Sequence, residues 1–326
     1  MTMSASVQQQ RETCCINLFT DNASAEVFTC GASVHHYAVR QANGCVFKPF
    51  AEAKWLDKYR HLSRSDVPRH LQILGGEFAC VPFGTTSLDT AHHGYCVDHD
   101  WHVTARTENA VTLEIKYPEH HVVRRLKRQI TLDPKTDALD FTLEIKPRKD
   151  CQLPVGIHPI FKVANDMKIA PPFFEHGASA PWQIDGNDRR ELSSGAKLNP
   201  QSHLWNNIGV ACNELLQIWN VRSNIALHYP SEQTIVHLNW DQNDLPHCLF
   251  WLANPGLEQT GLGAGFTGLG IEPTHSFFDQ NDQAGNHLAL HQCEQNHFGV
   301  PLVADQIWTT SYQISCRQSG PSENFL

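Results

Sequence analysis

Apolar and polar residues alternate along two segments of the chain. In residues 111–117 and again in residues 139–146, every second residue is apolar and those between are Thr, Asp, Glu or Lys. Successive side chains of a strand point to opposite faces, so each segment would have one buried and one solvated face. The turn-forming residues 133–137 lie between them, and the pattern predicts three successive antiparallel strands within residues 110–147.

Shorter apolar runs predict further strands, and helical periodicity is scarce. It is confined to residues 51–62, where Trp55, Tyr59 and Leu62 lie about one turn apart and predict one short helix. Strands that follow one another without intervening helices are typical of a sandwich and not of a parallel α/β sheet. We therefore predict an all-β sandwich of antiparallel strands with few short helices. The additional predicted strands are residues 225–229, 234–240, 248–252 and 308–314.

The folded region is predicted to be a single domain. Residues 171–207 are rich in Pro, Gly, Asn and Ser, and we interpret them as irregular loops, not as a domain boundary. The polar N-terminus predicts a flexible tail. The predicted organisation is a tail at residues 1–12, one sandwich domain at residues 13–318 and a second tail at residues 319–326.

Composition narrows the classes of function. The chain has 326 residues, 41% of them hydrophobic, and no run of about 18 apolar residues that would predict a membrane span. No secretory leader is evident, and the 11 cysteines are odd in number and lack a Cys-x-x-Cys pair, so we expect a cytoplasmic protein with reduced thiols. A net charge of −9 favours a solvated strand face over a nucleic-acid site for the basic residues 124–128.

Three short segments each place an ionisable side chain among turn-forming and aromatic residues. Taken singly, each is as well explained by a hydrogen-bonded structural histidine or a solvent-facing glutamate. Together, two histidines and one glutamate at strand–loop junctions form a candidate general acid/base set. The segments are His92-His93-Gly94 leading to Trp101, Gly156-Ile157-His158-Pro159-Ile160-Phe161, and Gly270-Ile271-Glu272-Pro273-Thr274-His275.

The order and separation of these segments resemble the aldose 1-epimerase (galactose mutarotase) superfamily. Its members have a Gly-Gly segment with Cys-x-Pro, then His-Gly with a Trp eight residues on, then x-His-Pro-x-Phe, and then apolar-Glu-Pro or apolar-Glu-Thr. The resemblance covers residues 70–315. The matching positions in this chain are Gly75-Gly76 with Cys80-Val81-Pro82, His93-Gly94 with Trp101, His158-Pro159-Ile160-Phe161, the Asn254-Pro255 turn, and Ile271-Glu272-Pro273.

The resemblance implies a β-supersandwich whose concave face binds a sugar, and an isomerase that interconverts the α and β anomers of a free hexose or related sugar. One group would take the proton of the anomeric hydroxyl and another would protonate the ring oxygen, tasks that suit a carboxylate and an imidazolium. By motif position, Glu272 is the general base, His158 is the general acid, and His93 binds near the ring oxygen and shares in proton transfer. Trp101 and Phe161 are expected to supply apolar surfaces to the substrate or to pack beneath it.

The chain departs from the superfamily at its substrate-binding arginines. Places where many members have an arginine hold Leu74 and residues 84–86, and the arginine of phosphosugar-specific members is replaced by Val97. Because a phosphate favours bidentate arginine partners, these differences weigh against a sugar phosphate. Gln72 is our candidate for a replacement substrate-binding residue, with Arg69 as the other choice.

Several alternatives stay open. The fold also suits a non-catalytic carbohydrate-binding protein or a hexose-6-phosphate mutarotase, and less readily a polysaccharide lyase, for which no tyrosine-centred site is evident. Asp185 and Asp241 are the candidates for the superfamily's substrate-binding aspartate. The expected partner is a small-molecule sugar, with no nucleic acid or membrane; the sequence specifies neither the sugar nor the oligomeric state.

Two other patterns are discounted, and neither a metal nor an organic cofactor is predicted. Residues 263–268 match Gly-x-Gly-x-x-Gly, but Pro273 and its neighbours argue against the helix that a dinucleotide site requires. The histidines of residues 92–102 and 120–121 lack the spacing and the supporting Cys or carboxylate residues of a metal site.

Overall fold

Short strands make up most of the structure, a computed structural model that describes residues 8–10, 14–59, 61–170, 172–179, 191–193, 212–256, 262, 265–279 and 298–320. In these residues the helices are the single turns α1 (Leu56–Tyr59) and α2 (Arg69–Gln72) and the 3-10 turns Tyr95–Val97 and Pro230–Glu232. The strands are β1 (Gln8–Gln10), β2 (Cys15–Phe19), β3 (Ala23–Phe28), β4 (Val34–Arg40), β5 (Val46–Phe47), β6 (Leu62–Arg64), β7 (Ala79–Cys80), β8 (His102–Arg106), β9 (Ala110–Lys116), β10 (Val123–Leu132), β11 (Leu139–Pro147), β12 (Cys151–Leu153), β13 (Gly156–Ile157), β14 (Ile160–Phe161), β15 (Lys168–Ala170), β16 (His176–Ser179), β17 (Glu191–Ser193), β18 (Cys212–Trp219), β19 (Ile225–Tyr229), β20 (Thr234–Trp240), β21 (His247–Gly256), β22 (Phe266–Thr274), β23 (Val300–Leu302) and β24 (Trp308–Gln318).

Two eight-stranded antiparallel sheets form the frame of the described part of the chain. The meander sheet has the order β15-β19-β20-β24-β11-β10-β9-β8. The site sheet has the order β17-β16-β18-β21-β22-β13-β7, and β14 also pairs with β22. A four-stranded sheet, β2-β3-β4-β5, and the pairs β1–β6 and β12–β23 complete the described topology. This is the all-β architecture that the sequence predicts.

Alternation of buried and solvated residues accounts for the meander sheet. Along β11 the odd-numbered residues are buried and the even-numbered ones are partly exposed, and β9 alternates in the same way. The consecutive strands β9, β10 and β11 are neighbours in the sheet, which confirms the predicted three-strand meander. The other four predicted strands are confirmed as β19, β20, β21 and β24.

The helix predicted in residues 51–62 is limited to the single turn α1. The Ala51 and Ala53 backbone N–H groups donate to the carbonyl oxygens of Ile160 and Leu74, so the first part of this segment is bonded to distant chain segments. Helical periodicity in the side chains was therefore overridden by tertiary hydrogen bonds.

Residues 171–207, which we interpreted as irregular loops, contain the strands β16 and β17. β16 pairs with β18, a partner from a later part of the sequence, so local composition does not reveal the strand. Within the predicted N-terminal tail, β1 pairs with β6.

No helix in the described residues is long and apolar enough to cross a membrane.

Candidate functional site

A cavity of about 390 Å³ lies against the site sheet. Its floor comes from one face of β18, β21 and β22, because Leu215 pairs with Trp251 and Leu249 pairs with Glu272 in the register of these strands. The remaining lining residues are Pro68, His70, Leu71, Leu74, Phe78, His92, His93, His158 and Asp279. The cavity thus combines an apolar surface with a group of imidazoles and carboxyl groups.

Glu272 and His158 meet in this cavity because their strands are neighbours. Glu272 lies within β22, and His158 lies in the link between β13 and β14, both of which pair with β22. The His158 backbone N–H donates to the carbonyl oxygen of Phe78 at 2.8 Å. Nε2 of His158 lies 3.3 Å from Oε1 of Glu272, in a contact too poorly aligned to be a hydrogen bond.

The His158–Glu272 pair is enclosed by aromatic side chains. The His158 ring stacks on Phe78 with ring centroids 4.6 Å apart and has edge contacts with His93 at 5.0 Å and Trp251 at 6.1 Å. Nδ1 of His158 and Oε1 of Glu272 are buried and have no hydrogen-bond partner in the described residues. Buried polar atoms without partners are costly, so their presence indicates a place for a polar ligand.

Burial opposes charge on both members of the pair. Burial, with a smaller contribution from Asp279, raises the pKa of Glu272 well above its ordinary value. Burial, with a smaller contribution from His92, lowers the pKa of His158 to about 3. Two groups with these opposed preferences favour a state in which the carboxyl group keeps the proton and the imidazole is neutral.

His93 is held in one tautomer by the backbone. The backbone N–H of His93 donates to the Gly84 carbonyl oxygen at 3.0 Å. In return, the backbone N–H of Gly84 donates to Nδ1 of the His93 ring at 3.2 Å. Burial lowers the pKa of His93 well below 6.5, so the ring is neutral. With Nδ1 acting as an acceptor, the single ring proton is on Nε2, and His93 can donate a hydrogen bond from that atom.

The three predicted substrate-binding residues lie outside the cavity lining. Trp101 is buried and donates from Nε1 to the Cys96 carbonyl oxygen at 3.0 Å. Phe161 is fully buried in β14, and its ring lies 6.0 Å from that of Phe50. The Gln72 amide is bonded to the backbone of Arg64 and Val67. All three residues therefore contact neighbouring chain segments and do not line the cavity.

Sequence reasoning missed several cavity residues. His70, Leu71, Phe78, Leu215, Leu249, Trp251 and Asp279 line the cavity but were not predicted. Phe78 lies inside the Gly-Gly to Cys-x-Pro segment, so that motif could have indicated it. The others reach the cavity through strand register or long-range contacts, for which the sequence carries no local signal.

The cavity lacks the arginines of the superfamily pattern. Leu74 lines the wall at the first of these positions, and Val97 is buried. The Arg69 guanidinium forms a bidentate pair with Asp100, with distances of 2.9 and 3.1 Å. No lysine or arginine occurs among the described lining residues. Asp241 is exposed in the turn after β20, and Asp185 lies outside the described residues.

The structure describes part of the glycine motif and all of the histidines whose patterns were discounted. Within residues 263–268 of the glycine motif, residues 263–264 are outside the described part, and β22 continues as a strand from Phe266 to Thr274. In the described residues the motif therefore leads into a strand, whereas a dinucleotide site requires a helix there. Among the described residues, no three His, Cys, Asp or Glu side chains are grouped closely enough to hold a metal ion.

Comparisons with known proteins identify the fold. No protein-family model matches the sequence, and no curated protein matches it. A solved structure from Escherichia coli K12, provisionally described as an aldose 1-epimerase, is similar over 94% of this chain and 99% of its own, with a TM-score of 0.66 and 12% identity. A galactose mutarotase-like protein from Clostridium acetobutylicum is similar over 96% and 99%, with a TM-score of 0.64 and 12% identity. An aldose epimerase homologue from C. elegans is similar over 94% and 100%, with a TM-score of 0.63 and 9% identity. At these identities the similarity is one of fold, and the chain has the galactose mutarotase-like fold that its motifs predict.

Proposed function

We propose that this chain is an aldose 1-epimerase that interconverts the α and β anomers of an unphosphorylated aldose. The observation that carries the proposal is the buried pair of Glu272 and His158, whose side chains lie 3.3 Å apart at the cavity. Oε1 of Glu272 and Nδ1 of His158 have no hydrogen-bond partner in the described residues. The fold similarity to proteins described as aldose epimerases supports the same reaction.

The reaction needs two proton transfers that balance. When the sugar ring opens, the base takes the proton of the anomeric hydroxyl, the C1–O bond to the ring oxygen breaks, and the acid protonates that ring oxygen. Rotation about C1–C2 and the reverse transfers then close the ring as the other anomer. The acid/base pair holds one proton before and after each step, which matches a carboxyl group beside an imidazole.

We assign Glu272 as the base and His158 as the acid in the ring-opening direction. This requires the proton to reside on His158, whereas burial favours its residence on Glu272 in the empty cavity. The two groups lie 3.3 Å apart and line the same cavity, so both can exchange protons with one bound sugar. His93, with its proton on Nε2, donates a hydrogen bond to the sugar near the ring oxygen.

The lining favours an uncharged sugar over a sugar phosphate. The described cavity residues include no lysine or arginine, and Glu272 and Asp279 would face a phosphate with like charge when ionised. Burial raises the pKa of both carboxyl groups, which reduces their charge but provides no cation for a phosphate.

The test is NMR exchange spectroscopy of anomeric protons with a panel of aldoses and hexose phosphates. We expect catalytic amounts of the protein to speed the exchange of at least one free aldose. Glu272→Gln and His158→Asn should each reduce this rate by at least about 100-fold, the usual contribution of general acid/base catalysis. Glu119→Gln changes an exposed glutamate and serves as the matched control. Equal rates for Glu272→Gln and the unchanged protein would refute the proposal.

A non-catalytic sugar-binding protein is the second candidate. It is favoured by Leu74, which places an apolar side chain where the superfamily has a substrate-binding arginine. In that case the same experiment would show saturable sugar binding, seen as shifts of the protein resonances, without faster anomer exchange for any sugar.

A further inference from the structure

His70 forms a second buried acid/base contact at the same cavity. Its ring Nδ1 lies 2.8 Å from Oδ1 of Asp98, and its backbone N–H donates to the same oxygen at 2.8 Å. The histidine is 5% exposed and lines the cavity beside His92 and His93. His70 lies outside the sequence segments that indicated the site, and Asp98 is one of the unmatched residues between His93-Gly94 and Trp101.

Asp98 determines which nitrogen of His70 carries the ring proton. Burial works against a charge on Asp98, but the hydrogen bonds from His70 outweigh it and lower the pKa of this carboxyl group. An ionised carboxylate can only accept, so Nδ1 of His70 donates to it. The remaining nitrogen, Nε2, is an acceptor whenever the ring is neutral.

His70 and His93 therefore present opposite hydrogen-bonding groups. His93 is a donor at Nε2 because the Gly84 N–H occupies its Nδ1, whereas the neutral form of His70 is an acceptor at Nε2. Their ring centroids are 6.1 Å apart and the rings are nearly perpendicular. Both rings line the same cavity, so one sugar molecule can contact both.

We propose that His70 is a substrate-binding residue that accepts a hydrogen bond from one hydroxyl group of the sugar, and that Asp98 is the residue that positions it. The inference rests on the proposed function, since it names how the same site holds its sugar. It supplies a polar contact in the same cavity as the apolar Leu74 side chain. A hydrogen bond of this kind recognises a hydroxyl group of the sugar.

The experiment measures dissociation constants by calorimetric titration, using the aldose with the fastest anomer exchange and its monodeoxy derivatives. The proteins are the unchanged chain, His70→Ala, Asp98→Asn and, as a control, the exposed-histidine variant His102→Gln. We expect His70→Ala to weaken binding of the parent sugar about three- to tenfold, the net effect of one hydrogen bond. One deoxy derivative should bind the unchanged protein and His70→Ala equally, because the partner of His70 is then missing.

In Asp98→Asn, the new side-chain amide can donate a hydrogen bond to Nδ1 of His70. This permits the tautomer in which the ring proton is on Nε2. We expect a raised KM for this variant, with kcat within about threefold of the unchanged protein, because the acid/base pair is intact. Unfolding temperatures check that each variant is folded, and His70→Phe, which keeps the ring volume, replaces His70→Ala if the latter does not fold.

The outcomes separate the two proposals. If His70→Ala weakens binding of the parent sugar and of every deoxy derivative by the same factor, or does not weaken binding at all, the role of His70 is refuted while the proposed function stands. If the unchanged protein binds no sugar and accelerates no anomer exchange, both are refuted.

Discussion

Gly270 leaves the space that the Glu272 carboxyl group occupies. The two residues lie on the same face of β22, and a Cβ atom at position 270 would clash with Oε1 of Glu272 and lie 3.3 Å from Cβ of Trp251. The absence of a side chain here is therefore a condition for the observed position of the carboxyl group beside His158.

We predict that Gly270→Ala displaces this carboxyl group and lowers the anomer-exchange rate by at least about tenfold, because small misplacements of a reacting group are costly. The rate would be measured by exchange spectroscopy on a sample whose folding is checked by circular dichroism. Gly320→Ala is the control, since a Cβ there meets nothing within 4 Å. An unchanged rate in Gly270→Ala would show that Glu272 does not need its present position.

A buried carboxyl group with a raised pKa reduces stability as the pH rises. Glu272 has an ordinary pKa of 4.5, and burial raises the folded-state value above it. Between these two pKa values, the folded protein binds the proton that the unfolded chain has released, so unfolding becomes easier with increasing pH. Below the ordinary pKa of 4.5, both states bind this proton, and Glu272 no longer makes the free energy of unfolding depend on pH.

We therefore predict that Glu272→Gln raises the free energy of unfolding by about 1–2 kcal/mol at pH 7 and by much less at pH 4. Urea unfolding at both pH values measures this difference, and Glu119→Gln is the exposed control. A loss of stability at pH 7 would instead mean that the Glu272 carboxylate is ionised and stabilised by His158.

At the scale of elements, the strands were predictable where alternation is local. β9, β11, β19, β20 and β24 each show their buried face directly in the sequence. The strands β16 and β17 were not predicted, because their pairing partners, and not their own polar and small residues, determine their structure.

The motif segments indicated some of the residues that line the cavity and missed others. Glu272, His158 and His93 line the cavity, and their catalytic roles stay predictions. Trp101, Phe161 and Gln72 do not, because residues near a site can equally support the backbone that carries it. His70 could not be found from the sequence, since its orientation depends on Asp98, which is distant in the chain.

At the scale of the whole molecule, a buried ionic cluster connects separate parts of the fold. Arg128 of β10 bonds to Glu77, to the Tyr312 hydroxyl group of β24 and, at 2.6 Å, to the Ala32 carbonyl oxygen between β3 and β4. Tyr312 in turn donates to Glu77 at 2.6 Å. The Arg128 and Glu77 side chains are fully buried, so neither charge has water as a substitute partner.

We predict that Glu77→Gln destabilises the protein by about 3–5 kcal/mol, because it leaves the Arg128 charge buried without a compensating carboxylate. Chemical denaturation measures the change. The matched control is Asp305→Asn, which removes the carboxylate of an exposed pair with Arg124 and should cost less than about 1 kcal/mol. If Glu77→Gln lowered the free energy of unfolding as little as Asp305→Asn does, the buried cluster would not contribute to stability as predicted.

The acid/base pair and the cavity walls have different structural origins. Glu272 and His158 are positioned by β22 and by the strands β13 and β14 paired with it, whereas His70, Leu74, His92 and Asp279 lie outside the strands. Substitutions in the wall segments can therefore change the shape of the cavity without moving Glu272 and His158. In evolutionary terms, the proposed substrate preference can diverge through the wall segments while the strands that hold the proposed acid/base pair are retained.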